Sequence, residues 1–508
     1  MQATSITLGS RGVTVADVVR VARHSVRVEL SDEARTRVET ARKVVERLSQ
    51  SGIPFYGVNT ALGANTGAPI VADDLGAYQA RAVQARAVGV GAPHATEVVR
   101  AMLFARASGL SVGGSGISPR VLDTVIAMLN AGVHPLVPSK GSIGAADLPP
   151  LSHLALPLLG EGRAEYRGEM LRGAEAMRRA GLEPVTLGAK DGLALISSNA
   201  ATLGHAALVL ADCNQALDAF NIAAALSFEG FRANLSPLDP RVHRARPHAG
   251  QAAIASRLRR LLDGSALWTT GSARRVQDPI SFRCVAQVHG AALAALWHAR
   301  DEVELDLNSA AESPLVVAET GEMLSNGNFH VAGLALAFDS LTLALAQTAL
   351  LCVQRCQRMY SPAFSGLPLQ LTQRGPEHSG FATMQKTLTA IYNDIRHQAN
   401  PASLDCLPVS EAIEDHASMA ANVVARTSVM VPNLRYLAAI ELFSAAQAID
   451  LRATDLATLG RDMQAVYTAV RGRVPVLDED RPLGPDIETV AAALAGGEID
   501  FGDLLASP

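Results

Sequence analysis

The sequence predicts a mainly α-helical protein built around a bundle of long helices, with a loop-rich N-terminal part and minor β hairpins. Strand-like alternation of apolar and polar residues is scarce, and three long segments are rich in Ala and Leu, at 192–217, 284–299 and 331–359. Apolar residues make up 48% of the chain and charged residues only 18%, so most faces of these helices should be buried. A helix of roughly 25 residues is about 40 Å long, which suits a bundle.

Glycine and proline mark the connections between the predicted helices. In chain order these are a glycine-containing loop at 57–67 after Tyr56, a turn-rich joint at 111–118, a loop at 135–150, a short hairpin at 160–170 and a break at 361–376. We therefore predict one folded unit over residues 1–508. Its N-terminal region reaches to about residue 190, and the helical bundle runs from about residue 191 to the end.

The composition argues against nucleic acid and membranes as partners. A net charge of −5 offers no electrostatic attraction to nucleic acid or to an anionic lipid surface. The most apolar segment, 331–353, contains Asp339, Ser340 and Gln347, which favours a buried bundle helix over a bilayer span. The N-terminus has neither the basic nor the apolar region of a secretory signal, so we expect a cytoplasmic protein.

The cysteines show no metal-binding or disulfide pattern. All five are scattered along the chain without paired metal spacing, at Cys213, Cys284, Cys352, Cys356 and Cys406. Asp415 and His416 are a possible metal pair by residue type, but no further ligands converge with them in sequence. We expect a reduced protein without bound metal.

The loop at residues 140–151 is the most informative motif. It reads Lys-Gly-Ser-Ile-Gly-Ala-Ala-Asp-Leu-Pro-Pro-Leu. It resembles the loop Gly-Ser-x-Gly-Ala-Ser-Gly-Asp-Leu-x-Pro-Leu of the histidine and aromatic amino-acid ammonia-lyases, in which Ala-Ser-Gly cyclises into the electrophile methylidene-imidazolone (MIO). Here Ala145 and Ala146 replace that tripeptide, leaving no serine to dehydrate and no glycine nitrogen to close the ring. The resemblance with this departure predicts a family member without the MIO cofactor.

Four further motifs follow the order of the same family between residues 13 and 483. Residues 56–60, Tyr-Gly-Val-Asn-Thr, resemble the motif of the catalytic tyrosine, and residues 276–284 resemble the motif whose arginine holds the substrate carboxylate. Residues 326–330 end in Asn-Phe-His, and residues 414–419 read Glu-Asp-His-Ala-Ser-Met, as in the family. The resemblance implies the ammonia-lyase and fumarase-like helical bundle, assembled as a homotetramer with shared active sites.

Several positions depart from the family pattern together. Ile280 stands where the family has a second tyrosine, and Arg86 stands where it has histidine. Residues 197–199 are Ser-Ser-Asn instead of Asn-Gly-Thr, and residues 411–413 are Glu-Ala-Ile instead of Ala-Asn-Gln. Lys386 lies in a helix that usually carries an apolar residue there. We interpret the joint loss of MIO and its supporting residues, with new charges, as a change of chemistry.

Elimination without MIO needs a substrate whose nitrogen is already a good leaving group. A base placed beside an ordinary amino acid removes an ammonium proton before the less acidic β-proton, and MIO overcomes this by binding the amine covalently. A quaternary trimethylammonium has no N–H and departs as neutral trimethylamine. The histidine-type betaine ergothioneine fits, and the chain resembles the MIO-free ergothionase branch of the family, which forms thiolurocanate.

The resemblance suggests roles for three catalytic residues and for the carboxylate anchor. Tyr56 is predicted to remove the β-proton. Arg283 is predicted to form a bidentate pair with the carboxylate, which suits a planar guanidinium. Lys386 and Glu411 are predicted to stabilise or protonate the thioimidazole ring and its sulfur.

The remaining candidates bind substrate. Glu414 is predicted to hold a ring N–H, and Phe329 to receive the cationic trimethylammonium group by cation–π attraction. Arg86 is either a second carboxylate anchor or part of a structural ion pair. Three further predicted substrate-binding residues are Asn328, Ser197 and Asn199.

Simpler interpretations remain open. Tyr56 is a packing or surface residue in one, and Arg283 pairs with Asp278 in another. Lys386 lies opposite an apolar stripe and is then a solvated lysine. The acidic residues after Ser410 then complement a helix dipole from its N-terminus.

Two functional alternatives also stay open. One is an ordinary histidine or aromatic amino-acid ammonia-lyase or aminomutase with MIO. The other is a degenerate, non-catalytic paralogue.

Overall fold

The computed structural model of the protein describes residues 5–61, 68–70 and 74–499. Helix accounts for 59% and strand for 8%, so the predicted mainly α-helical class is confirmed. Part of the predicted loop at 57–67, residues 62–67, lies outside the described residues.

The chain divides into two compact units. Unit 1 comprises Met1–Ala211, Arg300–Leu336 and Pro401–Ala425, and unit 2 comprises Asp212–Ala299, Ala337–Asn400 and Arg426–Pro508. Each unit thus draws on three separated segments, whereas the boundary predicted near residue 190 follows chain order. Four long helices contribute residues to both units: Ala200–Phe231, Val285–Leu307, Ala332–Met359 and Ala420–Leu451.

The first half of the chain supplies most of unit 1. Its strands are β1 Ser5–Leu8, β2 Arg27–Leu30, β3 Val90–Pro93, β4 Val133–Pro135, β5 Pro138–Lys140, β6 Arg163–Tyr166 and β7 Glu169–Arg172. Its helices are α1 Val15–His24, α2 Asp32–Ser49, α3 Leu75–Gln84, α4 Thr96–Ser111, α5 Pro119–Ala131, α6 Leu148–Ala155, α7 Gly173–Arg179, α8 Asp191–Ile196 and the start of α9 Ala200–Phe231.

The second half contains mostly helices. These are α10 Pro240–Ala245, α11 Ala249–Leu261, α12 Ile280–Arg283, α13 Val285–Leu307, α14 Ala332–Met359, α15 Pro362–Ser365, α16 Met384–Gln398, α17 Ala420–Leu451, α18 Arg461–Arg471 and α19 Gly484–Ala495. A hairpin of β8 Leu315–Val317 and β9 Glu322–Leu324 belongs to unit 1. Short 3₁₀ turns occur at Leu156–Leu159, Ser236–Leu238, Ala266–Trp268, Leu369–Leu371 and Leu456–Thr458.

The strands form four small sheets within unit 1. β1 pairs in parallel with β2, β3 pairs with β5, β6 lies between β4 and β7, and β8 pairs with β9. The predicted hairpin at 160–170 is confirmed as β6 and β7, with Tyr166 opposite Glu169. These sheets pin loops between helices and do not form a central sheet.

Helix α4 shows how unit 1 is packed. Every residue from Val98 to Ser111 is buried, between α1 and α5. Its buried Arg100 donates hydrogen bonds to the backbone carbonyls of Val21, Ala22 and Leu129, which satisfies the charge without a carboxylate. A helix with apolar residues on all faces is expected to be a core helix.

Two apolar helical segments meet the length and composition of a membrane span, Asp191–Phe231 and Ala332–Met359. Within the protein, 94% and 67% of their most apolar windows are buried. Such burial is typical of core helices, whose apolar surface contacts protein.

Candidate active site

The loop between β5 and α6 has an unusual backbone. Gly144 and Ala146 both adopt the left-handed conformation, with φ of 78° and 64°. A Cβ atom on Gly144 would lie 2.3 Å from the Ser418 hydroxyl oxygen, so only glycine fits there. For an alanine the left-handed conformation is costly, and the surrounding contacts must therefore hold Ala146 in it.

Asp147 anchors the end of this loop. Its carboxylate accepts hydrogen bonds from the Ser142 hydroxyl (2.5 Å) and from the backbone amide and hydroxyl of Thr202 (2.6 and 2.9 Å). Its backbone amide donates to the Ser198 carbonyl at 2.7 Å. Burial raises the pKa of Asp147, and these hydrogen bonds oppose that rise. The carboxylate thus ties the loop to the start of α9.

Two further segments of unit 1 line the loop. The Met419 amide donates to the Ile143 carbonyl at 2.8 Å, and the Ser418 hydroxyl donates to the Gly144 carbonyl at 2.9 Å. On another side, the Ala146 amide donates to the Phe329 carbonyl at 3.4 Å. The buried Asn199 also donates its side-chain amide to that carbonyl. The loop is therefore fixed by residues of two of the predicted motifs, 326–330 and 414–419, together with the segment 197–199.

Phe329 and Asn328 lie next to this loop, as the motif order predicts. Phe329 is half-buried, and Asn328 is exposed and donates to the Ala310 carbonyl at 3.3 Å. Ser197, which ends α8, and Asn199, which precedes α9, are both buried. The Oδ1 atom of Asn199 is buried without a hydrogen-bond partner.

Glu411 and Glu414 lie on a turn and not at a helix start. Ser410, Glu411 and Ala412 all have left-handed backbones, with φ between 54° and 62°, and Val409 pairs with Glu414 across the turn. The helix-dipole interpretation of these acidic residues is therefore wrong, because α17 begins only at Ala420. The Ser410 hydroxyl donates to the Glu414 carboxylate at 3.0 Å, while Glu411 is exposed.

Tyr56 lies on a turn connected to α8. Its side chain is 39% exposed. The side-chain amide of the buried Gln79 donates to the Gly57 carbonyl (3.0 Å), and its oxygen accepts from the Leu193 amide (2.9 Å). Gln79 therefore couples the tyrosine turn to α8.

Arg86 is half-buried just beyond α3. It donates to the Ala82 carbonyl at 3.0 Å. Among the described residues it forms no salt bridge, so the interpretation as a structural ion pair finds no support.

Arg283 and Lys386 lie in unit 2. Arg283 lines a cavity of about 280 Å³ together with Gln277 and Asp278, and its Nε atom is buried without a hydrogen-bond partner. Asp278 accepts a hydrogen bond from the Asn234 amide at 2.6 Å. Burial raises the pKa of Asp278, and the nearby arginines oppose that rise. Arg283 thus keeps an unused donor for a carboxylate.

Lys386 is exposed on α16, on the face opposite the buried Phe381, Met384 and Leu388. The predicted apolar stripe is therefore confirmed, and so is the position of the lysine outside it.

A cavity of about 380 Å³ also borders the loop in unit 1. Its lining includes His94, Lys140, Ser142, His205 and Asn422. None of the ten predicted catalytic or substrate-binding residues contributes to it. It is therefore distinct from the substrate site that the motifs predict.

Comparisons with known proteins identify the family. Residues 13–472 match the sequence family described as aromatic amino acid lyase. The chain belongs to this family of ammonia-lyases. Within it, the chain is 42% identical to histidine ammonia-lyase of Symbiobacterium thermophilum, over 97% of both chains. It is 39% identical to histidine ammonia-lyase of Alkaliphilus oremlandii, again over 97% of both chains.

Solved structures of this family have the same fold. Ergothionase from Treponema denticola, crystallised with desmethyl-ergothioneine sulfonic acid, superposes with a TM-score of 0.94 at 32% identity, covering 98% of this chain and 99% of that one. Histidine ammonia-lyase from Trypanosoma cruzi superposes with a TM-score of 0.89 at 32% identity, covering 97% and 94%. The fold is thus the ammonia-lyase fold, and the comparisons include both substrate types.

The residues at the loop do not fit the MIO group of this ammonia-lyase family. The methyl groups of Ala145 and Ala146 are buried, and Ala145 packs in an apolar cluster with Ala417 and Met419. The serine hydroxyl that is dehydrated and the glycine nitrogen that closes the ring have no counterpart at these two positions.

Two histidines at this loop were not among the predicted site residues. His330 pairs through its backbone with Ala145, and its Nε2 atom lies 2.9 Å from Nδ1 of His416, with the rings stacked 5.0 Å apart. One of these two nitrogens carries the proton and the other accepts the hydrogen bond through its lone pair. Both histidines stand in the motifs shared with the family. Their contact joins residues 86 positions apart, which a single sequence does not reveal.

Proposed function

We propose that this ammonia-lyase family member eliminates trimethylamine from ergothioneine, giving thiolurocanate, without MIO. The observation that carries the proposal is the replacement of the Ala-Ser-Gly tripeptide by Ala145 and Ala146. A family member without the electrophile needs a substrate whose amine leaves unaided. The structural similarity to an ergothionase, with a TM-score of 0.94, supports this substrate class.

The proposed reaction breaks two bonds and forms one double bond. A base removes the β-proton, and the electrons of that C–H bond form the α,β double bond. The electrons of the C–N bond leave with nitrogen as neutral trimethylamine. No N–H competes for the base, because the nitrogen carries three methyl groups. Charge that develops at the β-carbon delocalises into the thioimidazole ring.

Tyr56 is the proposed base. It lies on a turn that Gln79 connects to α8, and its 39% exposure leaves its side chain accessible to a ligand. General base catalysis contributes roughly 10² to 10⁴-fold to such steps.

Arg283 is the proposed partner of the substrate carboxylate. Its buried and unused Nε donor and its position in a cavity support this role. A charge-assisted, bidentate pair fixes the orientation of the carboxylate as well as its affinity. Arg86 is proposed as a second carboxylate anchor, since it forms no salt bridge in the described part of the chain.

Lys386 and Glu411 are proposed to stabilise or protonate the ring and its sulfur, and both are exposed. Glu414 is proposed to accept a ring N–H, and Phe329 to contact the trimethylammonium group. Asn328, Ser197 and Asn199 are proposed to line the site. Assembly as a homotetramer in the cytoplasm, without metal, belongs to the same proposal.

A second candidate is deamination of histidine to urocanate. The 42% identity to a histidine ammonia-lyase favours it. The loop residues argue against its usual form, since they do not supply the atoms of MIO.

The test is a comparison of ergothioneine, histidine betaine and histidine as substrates of the purified protein. We expect trimethylamine and thiolurocanate from ergothioneine and no urocanate from histidine. Release of trimethylamine from histidine betaine would show whether the ring sulfur is required. Urocanate from histidine with inert ergothioneine would overturn the proposal, and inertness toward all three would favour the non-catalytic paralogue.

A further inference from the structure

Unit 2 contains a cavity that is separate from the Arg283 cavity. It has a volume of about 440 Å³ and is lined by Arg232, Arg452, Glu229, Leu267 and Ser272, among others. Its lining shares no residue with the cavity of Arg283. No role proposed above uses this cavity.

Arg452 brings a positive charge to its wall, and it has no carboxylate partner among the residues that the structure describes. Its Nε atom donates to the Gly230 carbonyl at 2.7 Å, and its Nη2 atom donates to the Ser365 carbonyl at 2.5 Å. Burial, together with Arg232 and Arg274, lowers the pKa of Arg452 to about 10. Backbone carbonyls orient this guanidinium but leave its charge uncompensated.

Arg232 adds a second charge. It lies just after α9 in a left-handed conformation, with φ of 59°, and its Nη2 atom donates to the Ser272 carbonyl at 2.8 Å. Its own carbonyl accepts from the Arg274 amide at 3.0 Å. This pair of backbone and side-chain contacts holds Arg232 at the wall of the cavity.

Arg274 supplies the third charge behind the wall. Its guanidinium carbon lies 5.9 Å from the centre of the Phe231 ring, and a Cβ on Gly366 would be 3.1 Å from its Nη1 atom. Its Nε and Nη2 atoms are buried and have no hydrogen-bond partner within the described ranges of the chain. Gly366 lines the cavity, so Arg274 lies close to it although it is not itself part of the lining.

The counter-charge at this place is small. Among the described residues that line the cavity, Glu229 is the only carboxylate. It accepts a hydrogen bond from the Gly460 amide at 2.9 Å, and burial raises its pKa. The guanidinium groups of Arg232 and Arg274 repel that of Arg452, while Asp278, which does not line this cavity, offsets part of the charge of Arg274. Such a cluster is stabilised by an anion that enters the cavity.

We propose that this cavity binds a compact oxyanion, such as phosphate, a phosphate ester or a small dicarboxylate. Planar guanidinium groups are suited to the paired oxygens of both anion types. Residues 272–278 connect the cavity to Val276, Gln277 and Asp278, which line the Arg283 cavity. An anion bound in this cavity can therefore affect the Arg283 cavity through these residues. The proposal of an anion site does not depend on the identity of the proposed substrate.

The test is titration of the purified, assembled protein with inorganic phosphate and, in parallel, with malonate, at constant ionic strength set by NaCl. We expect saturable binding by calorimetry and a rise in Tm with at least one of them. Tighter binding of phosphate would indicate a phosphate-type ligand, and tighter binding of malonate would indicate a dicarboxylate. Arg452→Gln should raise the Kd of the anion by about tenfold or more, because it removes one charged hydrogen-bond donor from the cavity.

Two variants keep the test decisive. Arg241→Gln removes the same charge from an exposed ion pair outside the cavity and should bind phosphate or malonate like the wild type. Leu267→Glu places a carboxylate on the cavity wall, so it should abolish binding and raise Tm without added anion. Absence of saturable binding of both anions, or binding that Arg452→Gln and Leu267→Glu leave unchanged, overturns the proposal. If Arg452→Gln fails to fold, Leu267→Glu decides.

Discussion

Ala146 shows at a single residue how the loop between β5 and α6 is held. It is buried and holds a left-handed backbone with φ of 64°, which costs a non-glycine residue roughly 1–2 kcal/mol. The absence of the Ala-Ser-Gly tripeptide can be predicted from the sequence, because Ala145 and Ala146 are the only residues between Gly144 and Asp147. It did not predict the left-handed backbone of Ala146. That conformation depends on contacts with residues distant in sequence, namely Phe329, which binds Ala146, and Ser198 and Thr202, which bind the neighbouring Asp147.

Tyr56→Phe should abolish turnover while leaving binding intact. Phenylalanine keeps the ring but has no hydroxyl to take the β-proton. We expect kcat for trimethylamine release to fall about 100-fold or more, with little change in the Kd of ergothioneine measured by calorimetry.

Tyr166→Phe is the matched control, because Tyr166 lies on β6, where Arg167 stacks on its ring. It should keep wild-type activity. A Tyr56→Phe protein with wild-type kcat would remove Tyr56 from the reaction.

At the scale of elements, the sequence predicted helices well where composition is uniform. The segment 331–359 corresponds to α14, and 284–299 lies almost entirely in α13, which continues to Leu307. The segment 192–217 is interrupted at residues 197–199, because Ser198 and Asn199 there turn to hold Asp147 and Phe329. Helix α17 was not predicted, since Pro432 stands inside it.

Gly144→Ala should disrupt the loop more than its backbone strain alone explains. The new Cβ would lie 2.3 Å from the Ser418 oxygen and 2.9 Å from the Ala420 amide nitrogen. Gly168→Ala is the matched control, because Gly168 has φ of 80° and nothing within 4 Å of an added Cβ. Urea unfolding should show a larger loss of stability for Gly144→Ala. Equal losses of stability in Gly144→Ala and Gly168→Ala would contradict this prediction, because they would mean that the loop moves to accommodate the new Cβ.

The buried pair of α14 and α17 within unit 2 gives another prediction. Arg355 and Glu441 are fully buried and joined by two hydrogen bonds of 2.5 and 2.8 Å. Arg355→Met leaves the Glu441 charge buried and should reduce the free energy of unfolding by about 3–5 kcal/mol.

Arg461→Met breaks an exposed ion pair with Asp263 and should change the free energy of unfolding by less than about 1 kcal/mol. Chemical denaturation compares the two variants. Similar effects would contradict the burial of the Arg355–Glu441 pair.

For the whole molecule, the pH dependence of stability should carry the signature of Lys190. This lysine is fully buried in unit 1 and donates to the Ser115 carbonyl at 2.5 Å. Burial lowers its pKa from 10.5 to about 8, so the folded state releases its proton before the unfolded state does. The cost of the buried charge is therefore fully present below pH 8 and vanishes as pH rises to 10.5.

Lys190→Met removes this titration. The free energy of unfolding of the wild type relative to the variant should rise by up to about 3 kcal/mol between those two pH values. Unfolding by urea at several pH values measures this difference. A difference that stays flat, or that falls with pH, would contradict the lowered pKa.

The sequence fell short at the level of the whole molecule for one physical reason. Each compact unit combines segments that are separated in sequence by residues of the other unit, such as Met1–Ala211 with Arg300–Leu336 and Pro401–Ala425. Periodicity predicts which face of a helix is buried but not which distant segment covers it. The motif order compensated for this at the loop, since it grouped the motifs at 326–330 and 414–419, which contain Phe329 and Ser418, with the 140–151 loop.

The most direct test of the central claim is trimethylamine release after treatment with borohydride. The reagent reduces an electrophilic MIO group and is removed before ergothioneine is added. An enzyme that has Ala145 and Ala146 at this position, and therefore no MIO, should release trimethylamine at its untreated rate. A histidine ammonia-lyase treated alongside should lose activity. Loss of trimethylamine release on treatment, or urocanate from histidine before it, would contradict elimination without MIO.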